Sequence, residues 1–426
     1  MTRTAEIMVG SEADLRAERA GGRRKARTMT AGPAVIAVRE GHRSSDRAEA
    51  EPARSVALVG TYPPTVCGLA TFTSNLRAAI AAPGSGWAAR VVRVIDEEEI
   101  ERSSDVVAHW VTGDDASLQV ALERLELFDA VLLQHEYGLF GGEDGEDVLE
   151  LVSGLTTPLV AVLHTAPRQP SRHQRYVLDR LIRGAALVVV QSGVARLRIL
   201  AANDADPDRV VVIPHGAAAN FTGPVLSNVP SPAVLTWGLL SPGKGIEHGI
   251  AAMAGLACRS PEASYIVAGQ THPKVRARHG EKYREGLQAQ ARHLGIADRV
   301  HFDDSYRDWP SLRTLVRSAD VVLLPYESLE QVSSGVLVEA VASGRPVVAT
   351  RFPHAEELLA GGAGLLVSHG DVEAMTAALD RVLYEPGLAP RMAAAARRAA
   401  EPLLWPAVGA AYRAMVDRVV GAQAVA

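Results

Sequence analysis

The sequence predicts an α/β protein built from two Rossmann-like, doubly wound domains that face a central cleft. Three observations predict it. Twelve short apolar runs recur along the chain, segments with helical spacing lie between most of them, and one Gly/Pro/Ser-rich stretch divides the runs into two series. Short runs that are rich in β-branched residues and apolar on both faces suit the buried strands of a parallel sheet. Their alternation with helices implies right-handed βαβ units.

The first series comprises Val56–Val59, Val91–Ile95, Ala130–Leu133, Leu159–Leu163, Leu187–Val190 and Val210–Ile213. The second comprises Ala233–Thr236, Tyr265–Ala268, Val300–Phe302, Val321–Leu324, Pro346–Ala349 and Gly364–Val367. Helical spacing is clearest over Phe72–Ala82, Tyr283–Leu294 and Val372–Leu383. So many strands exceed one compact sheet of this type. They divide around Pro214-His215-Gly216 and the stretch Asn220–Pro232, which reads as a linker. The expected organisation is a disordered tail over 1–54, a first domain over 55–220, a second over 221–404 and a terminal segment over 405–426.

Composition narrows the function. The chain has 426 residues, 47% hydrophobic and 22% charged, the profile of a globular protein with a large core. A net charge of −5 gives no electrostatic reason to expect nucleic acid. The cysteines, Cys67 and Cys258, are far apart and form no metal-ligand spacing, which fits a reducing, cytoplasmic setting. No apolar run approaches the roughly 18 residues that cross a bilayer. The first fifty residues mix Arg, Glu, Asp and Ser, with Gly21-Gly22-Arg23-Arg24-Lys25-Ala26-Arg27 among them. They read as a solvated extension, or as residues upstream of a true start at Met29, rather than as a signal peptide or a membrane anchor.

In open α/β sheets ligands bind beyond the carboxyl ends of the strands. The unusual residues fall there. The first strand ends in Gly60-Thr61-Tyr62-Pro63-Pro64-Thr65-Val66-Cys67-Gly68, which is not the GxGxxG turn of dinucleotide folds but supplies a glycine where a helix begins. The third and fourth run into Gln134-His135-Glu136-Tyr137 and His164-Thr165-Ala166-Pro167. Histidines at neighbouring strand ends suit hydrogen bonds to sugar hydroxyls or the shielding of developing charge. No Asp-x-Asp appears in these loops, and the spacing builds no zinc site, so no metal is expected. In the second half, Gly238-Leu239-Leu240-Ser241-Pro242-Gly243-Lys244-Gly245 frames a lysine with glycines, the chemistry of a diphosphate clamp. Gln270 and Tyr306 are further strand-end candidates for base or acceptor contacts. Finally, Gln331-Val332-Ser333-Ser334-Gly335-Val336-Leu337-Val338-Glu339 opens a helix on small residues and carries a carboxylate able to accept both hydroxyls of a ribose.

With these motifs the sequence resembles the retaining glycosyltransferases of the GT-B fold, family 4, over about residues 55–420. The glycine-framed loop at 238–245 and the block from Pro325 to Thr350 carry most of the resemblance, supported by Ile213-Pro214-His215-Gly216 and Trp405. It implies a first domain on the acceptor side, a second domain that binds a nucleotide sugar, and a last helix crossing back to the first. It further implies that Lys244 contacts the donor diphosphate and Glu339 the ribose. Ser334, Gly335, Val336 and Leu337 would present backbone N–H groups, Gly68 would lie beside the phosphate from the opposite domain, and His164 beside the transferred sugar. Two positions depart from the pattern, Gln331 where a Glu is usual and Leu239 where an Arg is usual. In its Gln-x-Ser-Ser-Gly wording the chain resembles a bacterial subgroup of that family.

The implied reaction transfers a hexose from a nucleoside diphosphate sugar, GDP-mannose or UDP-glucose, to an acceptor hydroxyl with retention at the anomeric carbon. No separate cofactor is expected. His164, Lys244 and Gln331 are the expected catalytic residues, and the acceptor is a saccharide, a lipid-linked sugar or a small metabolite. Peripheral contact with the inner face of a membrane is compatible with such an acceptor. A sugar-nucleotide epimerase of the same fold and a non-catalytic sugar-nucleotide-binding protein are the alternatives.

Overall fold

The computed structural model describes residues 54–99, 103–257, 259–305 and 307–423. The expected tail (apart from Arg54), Cys258 and Tyr306 lie outside the described residues.

The first domain runs β1 (Arg54–Gly60), α1 (Gly68–Ile80), β2 (Trp87–Ile95), β3 (Val106–Val111), α2 (Asp115–Leu125), β4 (Ala130–His135), α3 (Val148–Gly154), β5 (Leu159–Leu163), α4 (Arg172–Gly184), β6 (Leu187–Val190), α5 (Gly193–Ala202) and β7 (Val210–Val212). The second runs β8 (Ala233–Trp237), α6 (Ile246–Ala257), β9 (Ser264–Ala268), α7 (Pro273–His279), α8 (Lys282–His293), β10 (Val300–Asp303), α9 (Trp309–Ser318), β11 (Val321–Leu324), α10 (Gly335–Ala342), β12 (Val347–Thr350), α11 (Pro353–Leu358), β13 (Gly364–Val367), α12 (Val372–Tyr384) and α13 (Leu388–Ala400). A last helix, α14, spans Trp405–Gln423.

All strand pairs are parallel, in the orders β3-β2-β1-β4-β5-β6-β7 and β10-β9-β8-β11-β12-β13. The two sheets thus share one winding. Each reverses direction between its first and fourth strands, β1/β4 and β8/β11, which is where a doubly wound sheet opens a crevice. The architecture expected from the sequence is therefore present.

The strand missing from the sequence reading is β3. Its residues, Val-Val-Ala-His-Trp-Val, break the apolar run because it is an edge strand, and only Trp110 is fully buried. Apolar clusters cover both faces of each sheet. The supposed linker is not free at its start. Asn220 is buried and donates from Nδ2 to the Arg313 carbonyl at 3.0 Å and to Ser343 Oγ at 2.9 Å.

Helix α14 packs on the first domain although it follows the second. Val408, Tyr412 and Val416 join Phe72, Leu76 and Ile80 of α1 in one cluster. The approach is close enough that a Cβ at Gly409 would lie 2.6 Å from the Ala79 carbonyl oxygen, so glycine is required there. Arg413 Nη1 donates to the carbonyls of Ala79 and Ile80 at 2.8 and 3.2 Å, satisfying the last turn of α1. The Trp405 ring lies directly on Gly216, with its centroid 5.5 Å from that of Phe72. This belt fixes the first domain to the end of the second.

Candidate functional site

The second-domain wall is built at the β8/β11 switch point. The loop after β8 folds back on the end of β11: Gly245 has φ +63, and a Cβ there would collide with the Pro325 carbonyl oxygen. The loop is held on its other side by the Leu240 N–H, which donates to the Gln270 carbonyl at 2.8 Å, so the evident contribution of Gln270 is through its backbone. This geometry lays Lys244 over the Tyr326 ring, its Nζ 4.4 Å from the centroid, while Tyr326 stacks on Phe352 at 5.2 Å. Burial lowers the Lys244 pKa. Gly238, at φ +122, faces Val336 of α10, where a Cβ would lie 3.7 Å from Cγ2.

Helix α10 begins with a serine N-cap. Ser334 Oγ accepts from the Leu337 N–H at 3.3 Å, and the Ser334 N–H donates to His354 Nδ1 at 2.9 Å. Two of the four backbone donors expected from the sequence are therefore committed inside the protein. Gly335 and Val336 keep N–H groups without a protein acceptor among the described residues. Together with the helix dipole they form a compact anion site. The bare Nε2 of His215 borders it, 3.0 Å from a Cβ built on Gly335, because the His215 Nδ1–H donates to the Gly216 carbonyl at 2.7 Å. Burial lowers the pKa of both His215 and His354 to about 4, so both are neutral, and Lys244 supplies a formal positive charge beside the start of α10.

Glu339, one turn further along α10, lines a small cavity with Asn220, Trp309, Arg313 and Ser343. Burial raises its pKa to about 8, against a hydrogen bond from the Trp237 side chain that favours the ionised form. Gln331 donates from Nε2 to the Ser333 carbonyl at 3.1 Å. A glutamate in that place would set a carboxylate against a carbonyl oxygen, so the departure from the Glu pattern has a local physical reason.

The first-domain wall lies at the β1/β4 switch point. Gly68 opens α1 behind its N-cap, Cys67, whose Sγ accepts from the Ala70 N–H, and the space around the Gly68 Cα is open. Two turns of expectation need correction nearby. His135 is 0% exposed, packed against Tyr137 and Phe140, and both of its ring nitrogens lack partners among the described residues. It is a core residue with its pKa lowered by burial to about 4, not an acceptor contact. His164 does border α1, its ring 4.8 Å from Phe72, but both of its nitrogens are used by the protein. Its Nε2 lies 2.9 Å from Gln134 Oε1 and its Nδ1 3.1 Å from Gln191 Nε2. Burial, with smaller contributions from His215 and His135, lowers its pKa to about 3. Hydrogen bonding of a sugar hydroxyl by a free imidazole nitrogen is therefore ruled out in this arrangement.

The residue after His135 is the better exposed one. Glu136 is half-buried and accepts from the Tyr137 N–H at 3.1 Å and from the Thr165 hydroxyl, beside His164. Lys274 approaches this loop from the second domain, its Nζ 3.3 Å from a Cβ built on Gly138.

The two walls are tied together by the loop before α10. Val332 joins the core cluster of the first domain. Arg198 of α5 donates to the Glu330 and Leu329 carbonyls and to Glu330 Oε2 at 3.0–3.1 Å, and Glu357 accepts from the N–H groups of Gly193 and Val194 at 2.8 and 3.0 Å. One cluster of potential metal ligands occurs among the described residues, Glu143, Asp144 and His173, and there the His173 nitrogens already lie 3.3 and 3.1 Å from Asp144 and Glu146 carboxylate oxygens. Gln134, Gln191, His215, His354 and Trp237 were not selected from the sequence as site residues. Each sits at or just beyond a strand end or next to a packed histidine, and a buried polar residue at the end of an apolar run was the available signal.

Residues 222–399 match the family model described as Glycosyl transferases group 1. Among curated relatives, the MMP alpha-(1->4)-mannosyltransferase of Mycolicibacterium hassiacum is 36% identical over 130 residues, covering 30% of this chain and 31% of that protein. The D-inositol 3-phosphate glycosyltransferase of Corynebacterium diphtheriae is 30% identical over 276 residues, 59% of this chain and 62% of that one. A GDP-mannose-dependent alpha-(1-6)-phosphatidylinositol monomannoside mannosyltransferase of Mycolicibacterium smegmatis is 32% identical over 174 residues, 39% of this chain and 42% of that one. The matches thus span less than two thirds of the length of these relatives. Among solved structures, sucrose-phosphate synthase from Thermosynechococcus elongatus superposes with a TM-score of 0.69 at 20% identity, over 87% of this chain and 100% of that one. HepE from Anabaena, in complex with UDP and glucose, gives 0.69 at 19% identity, over 86% and 100%. Both likenesses establish the two-domain GT-B fold.

Proposed function

We propose that this protein is a glycosyltransferase that moves a hexose from a nucleoside diphosphate sugar to an acceptor hydroxyl with retention of anomeric configuration. The observation that carries this reading is the second-domain wall. The two free N–H groups of α10, the Lys244 ammonium over Tyr326 and the half-buried Glu339 carboxyl all lie within the segment that matches the group 1 glycosyltransferase model.

The parts divide as follows. The diphosphate sits against the Gly335 and Val336 N–H groups and Lys244, which meet the charge that grows on it as the glycosidic bond breaks. Glu339 accepts the ribose hydroxyls. Gln331, held by its Nε2 to the Ser333 carbonyl, keeps its amide oxygen for a sugar hydroxyl. His164 walls the sugar as a neutral ring and takes no proton, because both nitrogens are engaged and its pKa is far below neutrality. The acceptor proton passes to the departing diphosphate on the same face, so the protein works by positioning and charge stabilisation. No metal is needed for that charge in this reading. Lys244 and the helix N-terminus supply the stabilisation.

GDP-mannose and UDP-glucose are the two donor candidates. The first is supported by the relative named for GDP-mannose dependence and the second by the fold neighbour held with UDP and glucose. The inositol phosphate and phosphatidylinositol mannoside named for the relatives make a polyol or lipid-linked sugar the acceptor class to try first. No helix among the described residues is long and apolar enough to cross a membrane, so a lipid-linked acceptor would be met from the membrane surface. A thermal-shift panel of nucleoside diphosphate sugars, followed by product NMR with such acceptors in the presence of EDTA, tests the reading. Stabilisation by one donor and an anomeric configuration that matches it are expected. Stabilisation by none, or binding without release of nucleoside diphosphate, would overturn it.

A further inference from the structure

Two glutamines stand where an apolar residue would fit the sheet. Gln134 is the fifth residue of β4, in the run Ala-Val-Leu-Leu-Gln-His, and is 0% exposed; Gln191 follows β6 directly and is 2% exposed. Burying an amide is costly unless every polar atom finds a partner. Here they do, and the partners form one chain. Gln134 Nε2 lies 3.5 Å from the Leu132 carbonyl oxygen, and its Oε1 lies 2.9 Å from His164 Nε2. His164 Nδ1 lies 3.1 Å from Gln191 Nε2, and Gln191 Oε1 accepts from the Ser333 hydroxyl. Ser333 belongs to the second domain, directly before the N-cap of α10, and its carbonyl receives the Gln331 amide.

The chain has a direction, and the Leu132 carbonyl sets it. A carbonyl only accepts, so the Gln134 amide must turn its NH₂ towards Leu132 and its oxygen towards His164. His164 must then carry its proton on Nε2, which leaves Nδ1 bare. A bare Nδ1 demands a donor, so Gln191 turns its NH₂ inward and its oxygen outward. That oxygen in turn takes the Ser333 proton. One backbone carbonyl in the first domain thereby favours a single orientation of every group as far as the loop that opens the proposed phosphate site.

We propose that Gln134 and Gln191 are positioning residues that hold His164 as a single neutral tautomer, protonated on Nε2, and that the Gln191–Ser333 bond sets this ring in register with the phosphate-binding start of α10 in the opposite domain. This deepens, and rests on, the transferase reading of the cleft. The two walls are also joined by the Arg198 and Glu357 side chains and by Val332, which packs into the first-domain core. The amide relay is a further polar link between them, and it runs through the first-domain residue that borders α1.

The test uses the full chain labelled with ¹⁵N-histidine, with the His164 resonances assigned by their loss in His164→Gln. At neutral pH the wild-type ring should show a pyrrole-type Nε2 and a pyridine-type Nδ1. Gln191→Glu exchanges the inward donor for an acceptor, and both ring nitrogens should become pyrrole-type. Ser333→Ala lies outside the first-domain core and spares the fold should the glutamine variants not fold. It should leave both nitrogens unchanged while lowering kcat by about tenfold, with the donor KM altered by less than about twofold, the scale of an outer-shell orienting contact. A wild-type ring protonated on Nδ1, a Gln191→Glu ring identical to wild type, or a Ser333→Ala variant with kcat unchanged would overturn the proposal. Should no donor be turned over by any form of the protein, the transferase reading fails, and the nitrogen signals still decide whether the relay exists.

Discussion

The two walls of the cleft share one sheet winding and differ in what they offer. The second-domain wall presents two unspent backbone N–H donors, an ammonium over an aromatic ring and a carboxyl whose pKa burial raises to about 8. The first-domain wall presents groups that the protein has already satisfied, with His164 bonded on both nitrogens and its pKa lowered to about 3. The same topology therefore serves two kinds of chemistry. A wall of open donors suits an anion whose charge grows during reaction, whereas a wall of neutral, pre-oriented rings suits shape and exclusion of water.

Breaking the comparison on its charged side should have the largest effect. Lys244→Ala removes a formal cation and should lower transfer by about 10²–10³-fold, the scale of losing one preorganised charge-stabilising donor. The melting temperature should stay within a few degrees, since Lys244 sits on a ring at the cleft rather than in a core. Steady-state rates alongside thermal melts check both halves of this statement.

Glu339→Gln should weaken nucleoside diphosphate binding by about tenfold to a hundredfold, the usual worth of hydrogen bonds to a charged group. The pH dependence sharpens this. In the free protein the carboxyl is largely protonated at pH 7, while accepting two ribose hydroxyls favours the ionised form. Affinity should rise as pH climbs through about 8 and then level off, and binding at pH 7 should release a proton. Calorimetry in buffers of different ionisation enthalpy reads that proton, and a flat pH profile would remove Glu339 from the ribose.

The buried histidines of both walls predict a stability effect. His135, His215 and His354 have pKa values lowered to about 4 and His164 to about 3, all mainly by burial. In the unfolded chain histidine titrates near 6.5. Below that value the unfolded state binds more protons than the folded one. The stability these rings contribute is therefore complete above about pH 6.5 and is lost as pH falls towards 3–4, each ring adding up to about 1.4 kcal/mol per pH unit in between. Glu339 works in the opposite sense between its unfolded and folded values. Denaturant melts between pH 7 and 4.5 should show a net loss, and His354→Gln should reduce the slope.

The smallest effect concerns the belt that holds the walls in place. Gly409→Ala forces a methyl against the Ala79 carbonyl and should cost about 1–3 kcal/mol, as overpacking does. It should lower the melting temperature while leaving donor affinity in the folded protein almost unchanged.

The same contrast explains what could be read from the sequence. The second-domain wall was legible because its parts are nearly contiguous: Gly238 to Gly245 form one loop, and Gln331 to Glu339 one loop and helix start. Even there, the commitment of the Ser334 and Leu337 N–H groups depends on His354 and on rotamers, which no spacing encodes. The first-domain wall draws single residues from the ends of β4, β5 and β6, and a relay of that kind is visible only once the strands are aligned. His135 and His164 looked equivalent as strand-end histidines, but alternation on the pleat sends one into the core and the other to the cleft side. Edge strand β3 escaped because a half-exposed strand does not need an unbroken apolar run.

Backbone hydrogen exchange with and without UDP or GDP tests the assignment of the walls most directly. The account predicts slowed exchange in the loop at 238–245 and at the start of α10, with little change around Gln134–Gly142 and His164. Protection confined to those first-domain loops, with the start of α10 unaffected, would contradict it.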